Sequence, residues 1–351
     1  MVDLFCGVGG LTHGFSLESF KIDAGIDSDP TCKFAYEKNN PATFICADVA
    51  ELKPAYLRSL FSRRKILVGC APCQPYSIYT HKTSIEEKRP KHEAKWQLLS
   101  SFSDLIQKVN PEIVSMENVP QLIYFDGGRV FENFVSTLQR TYKVSYSVVN
   151  AKDYGVAQRR KRLILFASKY GEVRMVEKSI TDNAFRTVRE EIEHLPPVEA
   201  GIAHPDDPLH RSRRLSDLSR RRIQAMRPGG FWREWEKDLQ LDCHKKKGGK
   251  GFRSVYGRMK WDDVAPTITT CCTGLNNGRF GHPEQDRAIT LREAALLQSF
   301  PMTYKLIAHG EKPNCTNLAR HIGNAVPVNL GRAIARSIAL HIQELGNTQK
   351  K

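Results

Sequence analysis

Short apolar segments alternate with amphipathic segments over the first 170 residues of the chain. Six apolar segments have the length of buried strands: 2–5, 23–27, 43–48, 65–71, 112–118 and 162–168. Between them lie segments with apolar residues at helical spacing, of which 96–109 is the clearest. Strand and helix in regular alternation predict βαβ units around a mostly parallel, doubly wound sheet, which is an α/β fold.

This alternation lapses from about residue 172 to residue 286, where Arg, Lys, Gly and Pro are frequent and long periodic segments are few. Helical spacing returns in 289–300 and again in 328–345. We therefore predict a first domain over 1–175 and a smaller, irregular domain over 176–286. We expect a hinge and return segment over 287–319, and a C-terminal helix within 320–351 that packs back on the first domain.

The composition limits the class of protein. The 351 residues are 40% hydrophobic, and no apolar run reaches the 18 or so residues that a bilayer span needs. The first ten residues, MVDLFCGVGG, lack the basic stretch and apolar core of a signal peptide. Nine unpatterned cysteines favour reduced thiols over a disulfide framework. We expect a cytoplasmic monomer that does not contact membranes.

A net charge of +15 indicates an anionic partner, and its distribution is uneven. Residues 209–260 contain 16 Lys or Arg against 5 Asp or Glu, or about +11. Aromatic residues lie among these charges: Phe231, Trp232, Trp235, Phe252 and Tyr256. A solvated surface would explain any single basic run, but the interleaved pattern favours a nucleic acid.

Each predicted strand of the first domain ends in a polar or glycine-rich feature. Residues 5–10 (FCGVGG) follow the first strand, and the later strands are followed by Asp27, Asp48, Cys73 and Glu117-Asn118. In open α/β sheets, ligands bind beyond the carboxyl ends of the strands. The sequence therefore predicts a ligand site at this edge of the sheet.

The first two features suit a nucleotide-like ligand. Gly7 and Gly9 would let the backbone approach a ligand closely, and Asp27 lies 20 residues beyond Gly7, where nucleotide-binding folds place an acid for ribose hydroxyls. Either acid could instead cap a helix, since Asp27 precedes Pro30 and Asp48 precedes another helical segment. Both interpretations stay open for both residues.

Two cysteines lie three residues apart in the Cys70-Ala71-Pro72-Cys73 turn. A zinc site needs a second pair of ligands that the chain does not offer, so we expect no metal. Cys70, inside the strand, is expected to be a buried small apolar residue. Cys73, in a turn between two prolines, is the candidate nucleophile, although a thiol with the ordinary pKa of about 8.5 would need activation.

Six motifs occur in an order that resembles the motif series of the DNA cytosine-5 methyltransferases of bacterial restriction-modification systems. They are FCGVGG (5–10), Pro72-Cys73-Gln74, Glu117-Asn118-Val119, QRRKR (158–162), Arg292-Glu293 within 287–301, and GNAVP (323–327). The resemblance covers essentially the whole chain. It implies an S-adenosylmethionine-dependent methyltransferase fold over 1–175, with the target-recognition domain in 176–286.

The resemblance also implies a mechanism. The thiolate of Cys73 would add to C6 of a cytosine flipped out of a specific duplex DNA sequence, which makes C5 nucleophilic toward the methyl group of S-adenosylmethionine. Protonated Glu117 would hydrogen-bond to N3, and Asn118 would fix its loop. Arg160 would donate to the O2 carbonyl.

Further residues receive binding roles from the same resemblance. The cofactor would lie against Phe5, Gly7, Gly9, Asp27, Asp48 and Asn324, with Asp27 at the ribose and Asp48 at the adenine amino group. The family usually has Glu where Asp27 stands, and Gly69-Cys70-Ala71 departs from its more usual Gly and Pro residues. DNA contacts would come from Gln74, Ser77, Arg162 and Thr267, and the polar segment 77–95 would be a mobile lid.

Rival functions remain at this point. A tRNA cytosine-5 methyltransferase would share the Pro-Cys-Gln-Pro turn, whereas the long basic segment suits duplex DNA. A catalytically idle DNA-binding homologue would not need Cys73, Glu117 and Arg160 together. A small-molecule methyltransferase would not need the concentrated positive charge. A cognate restriction endonuclease, acting separately, is a possible partner.

Overall fold

Two compact units make up the chain. The computed structural model describes residues 1–72, 89–178, 185–246 and 255–348, apart from the side chains of 89–97 and 348. Unit one comprises Met1–Asn150, Lys161–Lys178 and Val328–Lys351, and unit two comprises Ala151–Arg160 and Ser179–Pro327.

Unit one is built on a seven-stranded sheet. Its strands are β1 (Val2–Leu4), β2 (Ala24–Asp27), β3 (Thr43–Cys46), β4 (Ile66–Gly69), β5 (Ile113–Asn118), β6 (Lys143–Asn150) and β7 (Lys161–Ser168). Their order is β3-β2-β1-β4-β5-β7-β6. Strands β1 to β5 pair in parallel, while β7 is antiparallel to both β5 and β6. The predicted mostly parallel α/β fold is confirmed.

Eleven α-helices lie within the described residues. They are α1 (Gly10–Leu17), α2 (Lys33–Asn39), α3 (Pro54–Leu60), α4 (Arg89–Val109), α5 (Arg129–Gln139), α6 (Val188–Ile192), α7 (Asp217–Gln224), α8 (Asp242–Lys245), α9 (Leu291–Leu297), α10 (Cys315–Asn324) and α11 (Val328–Thr348). Short 3₁₀ segments cover Pro30–Cys32, Val49–Glu51, Pro120–Gly128, Ala151–Tyr154, Trp232–Glu234 and Leu275–Asn277. None of the described helices combines the length and hydrophobicity that a bilayer crossing requires.

The last helix packs against the first within unit one. A β-carbon on Gly14 of α1 would lie 2.6 Å from the backbone nitrogen of Arg332 and from the carbonyl carbon of Gly331. Glycine is therefore needed here for α11 to approach α1 this closely. Two arginines of α11, Arg332 and Arg336, donate to the carboxylate of Glu18 near the end of α1.

Residues 287–319 belong to unit two. Their helix α9 contacts α6, α10 and the short strand β9 (Asp207–Arg211), which pairs with β8 (Ala203–His204). A buried ion pair supports this region, since Arg287 donates to both carboxylate oxygens of Glu293.

The aromatic residues of the basic segment form part of the core of unit two. Trp232 and Trp235 are buried together with Ile223, and Phe231 and Tyr256 pack against them. Trp232 and Trp235 are therefore core residues of unit two, whereas Phe231 and Tyr256 stay partly exposed. Phe252 lies outside the described residues.

Candidate functional site

The ends of β1 and β2 are joined through Gly7 and Asp27. The Gly7 amide donates to Asp27 Oδ2 at 2.8 Å, and Asp27 Oδ1 accepts from the Asp29 amide at 2.9 Å. Both Phe5 and Gly7 have left-handed backbone angles, with φ of 59° and 51°. The 20-residue spacing in the sequence thus corresponds to a direct contact. The cap of the next turn is Asp29, not Asp27.

The backbone of the glycine turn is accessible at Gly7. A β-carbon built on Gly7 would meet no atom within 4 Å, so the glycine turn borders open space. Asp27 is partly exposed beside it, and a carboxylate with free acceptor capacity suits ribose hydroxyls. Asp48 is exposed, and its Oδ1 caps Val49–Glu51 by accepting from the Ala50 amide. These residues fit the adenosine portion of S-adenosylmethionine.

Glu117, the next-to-last residue of β5, has a buried carboxyl that is 3% exposed. Its Oε2 accepts a hydrogen bond from the thiol of Cys70 at 2.7 Å. Cys70 lies one residue beyond β4 and is partly exposed. The expectation that Cys70 is a buried apolar residue is therefore wrong, because its thiol is directed at a carboxylate.

Arg162 lies on the other side of the Glu117 carboxyl. Its Nε is 2.8 Å from Glu117 Oε1, and its side chain is 12% exposed. Within the described part of the chain, Oε1 nevertheless accepts no hydrogen bond and is shielded from solvent. The carboxyl thus has one oxygen held by a thiol and one with a neighbouring positive charge but no donor aligned to it.

Asn118 ties the two central strand ends together. Its Nδ2 donates to the carbonyl of Ala71 at 3.2 Å, and its Oδ1 accepts from the Val119 amide at 2.8 Å. The side chain is buried, so water does not compete for these hydrogen bonds. They fix the backbone on both sides of the Glu117 carboxyl.

Arg160 has a different environment from the one predicted. Its side chain, 2% exposed, lies in unit two, where the guanidinium donates to the carbonyls of Ile268, Gly323 and Ala325 at 2.9 to 3.1 Å. Gln158 is likewise buried there and donates to Gln298 Oε1 and the Leu297 carbonyl. The second arginine of QRRKR, Arg160, therefore stabilises the backbone of unit two.

A second buried carboxyl lies in β1, beside the central strand β4. Asp3 of β1 accepts from the hydroxyl of Thr12 at 2.6 Å through Oδ2, while its Oδ1 has no partner among the described residues. Burial raises the pKa of Asp3 to about 7, although the Thr12 hydrogen bond opposes the shift. No sequence motif singled out this residue.

Several predicted site residues lie outside the described residues, namely Cys73, Gln74 and Ser77. Most of the predicted lid does so too, but the backbone of 89–95 belongs to α4 and is helical. Thr267 is partly exposed in unit two and donates to the carbonyl of Arg159 at 2.6 Å. Asn324 is exposed at the end of α10, also in unit two.

The model of the C-5 cytosine-specific DNA methylases matches residues 1–340. The chain belongs to this family. It is 50% identical, over all of its length and 98% of the relative, to the Type II methylase M.HgiDII of Herpetosiphon aurantiacus. It is 28% identical to the Type II methyltransferase M.Eco47II of Escherichia coli over 96% of this chain and 78% of the relative.

A solved structure shares the fold. It is a prophage-encoded E. coli protein described as a DNA modification methyltransferase, with a TM-score of 0.72 at 20% identity over 97% of this chain and 99% of the other. From its family, the chain is a DNA (cytosine-5) methyltransferase whose methyl donor is S-adenosylmethionine. The predicted family, enzyme class and cofactor are confirmed.

Proposed function

We propose that this methyltransferase modifies cytosine within a specific duplex sequence through a covalent adduct between Cys73 and C6 of a flipped-out base. The supporting observation is the buried carboxyl of Glu117 at the end of β5, which has an oxygen without a hydrogen bond beside the guanidinium of Arg162. A pyrimidine that accepts electrons from a thiolate needs such a proton donor and such a positive charge.

We assign roles to four side chains in this reaction. Cys73 adds to C6 while Glu117 passes a proton to N3, so the ring is neutral and electron-rich at C5. Arg162 then stabilises the carboxylate that Glu117 becomes, and donates to the O2 carbonyl. We assign this role to Arg162 in place of Arg160, whose guanidinium is directed at three backbone carbonyls. Asn118 holds the loop.

The cofactor is assigned to the ends of β1, β2 and β3. Its chemical contribution when bound is an electrophilic methyl group. Phe5, Gly7 and Gly9 would hold it through the turn after β1, and Asp27 would accept from the ribose hydroxyls. Asp48 would accept from the adenine amino group, and Asn324 keeps its cofactor role on the resemblance alone.

Unit two supplies charge for DNA phosphates. Of the basic side chains in 209–260, eleven described ones are exposed: Arg211, Arg213, Arg214, Arg220, Arg221, Arg227, Arg233, Lys237, Lys245, Lys246 and Lys260. Phosphate contacts position a protein on a duplex, whereas base-edge contacts select the sequence. Gln74, Ser77 and Thr267 remain our candidates for contacts near the target base.

The Type II relatives suggest a biological setting. We infer that the enzyme acts as a monomer and protects DNA against a cognate restriction endonuclease that acts separately.

Two steps test this function. Bisulfite sequencing of DNA from cells that express the chain should reveal methylated cytosines in one recurring sequence. A duplex that carries 5-fluorocytosine at that position should then become covalently attached to the wild-type protein but not to Cys73→Ser. Methylation of tRNA without methylation of duplex DNA, or trapping that persists in Cys73→Ser, would overturn the proposal.

A further inference from the structure

Cys70 has a contact that the mechanism above does not use. Its thiol donates to Glu117 Oε2 at 2.7 Å, and the acceptor belongs to a carboxyl that is 3% exposed. A buried hydrogen bond forms without competition from water, both when Glu117 is the acid that donates to N3 and when it is the carboxylate that remains. The contact therefore fixes the side-chain rotamer of Glu117.

The two oxygens of Glu117 differ as a result. With Oε2 occupied by the thiol, Oε1 is the oxygen that no described donor satisfies. A buried polar atom without a partner is costly unless a ligand completes it. Arg162 lies 2.8 Å from Oε1 as an ion-pair partner without hydrogen-bond alignment, and Asn118 bonds to Ala71 and Val119.

We propose that Cys70 is a positioning residue for catalysis. Its thiol holds Oε2, so the carboxyl group cannot rotate about its last bond and Oε1 stays turned toward the base. The proposal rests on the role given above to Glu117 but assigns a new function to a residue of this chain. No proton leaves the thiol during the reaction, so the donor is present before, during and after methyl transfer.

The position of the thiol in the chain explains why it can do this. Cys70 follows β4 directly, and β4 pairs in parallel with β5, whose last two residues are Glu117 and Asn118. The Asn118–Ala71 hydrogen bond connects the same two segments. The carboxyl and the thiol are therefore held at a fixed separation by the sheet itself.

A pair of substitutions separates positioning from packing. Cys70→Ala removes the donor and should lower kcat about tenfold, with the KM for S-adenosylmethionine changed by less than about twofold, as expected for the loss of one hydrogen bond to a charged group. Cys70→Ser restores a donor and should retain activity within about threefold of wild type. Packing alone would favour alanine over serine in this site, so an alanine variant more active than the serine variant would overturn the proposal.

A spectroscopic measurement does not depend on activity. The S–H stretching band of Cys70 can be identified in the infrared spectrum of the full chain by its loss in Cys70→Ala. In Glu117→Gln this band should move to higher wavenumber, because a neutral amide oxygen accepts more weakly than a carboxylate. An unshifted band would overturn the inference even if methyl transfer is normal. Failure of the wild type to methylate DNA would count against the proposed function and leave the band result standing.

Cys315→Ala is the matched control. This thiol lies in unit two at the start of α10, and its described contact is a weak one of 3.9 Å with the Pro313 carbonyl. Its removal should leave kcat and the Cys70 band unchanged. A tenfold loss in this variant as well would show that the Cys70→Ala effect does not come from Glu117, and would overturn the proposal.

Discussion

The guanidinium of Arg162 lies 2.8 Å from Glu117 Oε1, yet no hydrogen bond joins them. Charge attraction without aligned donors leaves the guanidinium able to turn toward a third partner, while the Cys70 thiol holds the carboxyl in place. Such an arrangement suits a base that presents N3 to the carboxyl and O2 to the guanidinium.

Replacement of Arg162 should slow methylation, whereas replacement of Arg160 should lower stability. Arg162→Lys keeps a charge but loses the planar donor geometry, so single-turnover methylation should slow about 10- to 100-fold with little change in stability. Arg160→Lys should instead lower the free energy of unfolding by about 2 to 4 kcal/mol, because buried carbonyls lose their donors. Urea unfolding and single-turnover kinetics measure both effects. A stable Arg160→Lys enzyme with a chemical defect would restore the original assignment.

Asp27→Asn should weaken cofactor binding more than Asp48→Asn does. Both oxygens of Asp27 accept backbone N–H groups, so an amide there must direct its NH₂ at a donor. Asp48 uses one oxygen to cap Ala50, and asparagine can still supply that acceptor. We expect the dissociation constant for S-adenosylmethionine to rise at least about tenfold in Asp27→Asn, as for loss of a charged hydrogen bond. Isothermal titration calorimetry would show it, and a larger effect at Asp48 would contradict the argument.

Asp3 should make stability depend on pH. Burial raises its pKa to about 7, while the unfolded chain releases the proton near pH 4. The folded state therefore holds more protons between these values, and the free energy of unfolding falls as the pH rises from about 4 to about 7, on the order of 1 kcal/mol per pH unit, then levels off. In Asp3→Asn the free energy of unfolding should not fall over this pH range. Urea unfolding of the wild type and the variant at each pH measures this, and parallel curves of stability against pH would exclude Asp3 as the cause of the fall.

Two glycines of the α1–α11 region offer a matched pair. Gly14→Ala would place a methyl group 2.6 Å from the backbone of α11 and should destabilise unit one by about 2 kcal/mol or more, as overpacking does. Gly346 also lies in α11, but a β-carbon there would meet no atom within 4 Å. Gly346→Ala should therefore be neutral or stabilise the protein by up to about 1 kcal/mol through helix propensity. Thermal unfolding distinguishes them. Equal melting temperatures would mean that α11 does not depend on this contact.

DNA affinity should fall steeply with salt, by about 0.9 log units per log unit of salt for each phosphate neutralised. Arg220→Gln, on the exposed surface of unit two, should reduce that slope by about 1. Arg140→Gln, exposed at the end of α5 in unit one, is the control and should leave it unchanged. Fluorescence anisotropy over a salt series measures the slope. A DNA affinity that does not change with salt concentration would contradict a role for the basic segment in DNA binding.

The sequence predicted the strand ends well because each carries a local signal. The glycine turn and the acid 20 residues later were both placed at strand ends, and they come into contact as Gly7 and Asp27 because β1 and β2 are neighbouring parallel strands. Strand β6 was not predicted, because it lies at the sheet edge and none of its residues is fully buried. An edge strand needs no continuous apolar run, so hydrophobicity does not reveal it.

Side-chain partners were harder to predict than strands. Arg160 and Arg162 are two residues apart in one motif, and their spacing gives no reason to prefer either as the partner of Glu117. Tertiary contacts decide, since carbonyls of distant residues surround Arg160. Cys70 was missed for a similar reason. Its spacing to Cys73 suggested metal or redox chemistry, whereas its contact is a carboxyl 47 residues later.

The packing of α11 on α1 affects how the chain is made. Unit two is inserted between the strands of unit one and its last helix, so a ribosome must synthesise all of 179–327 before α11 emerges. Until then the face of α1 around Gly14 has no helix to cover it. Unit one therefore stays incomplete during translation. The uncovered face of α1 is then a site where chaperones can bind and proteases can cleave.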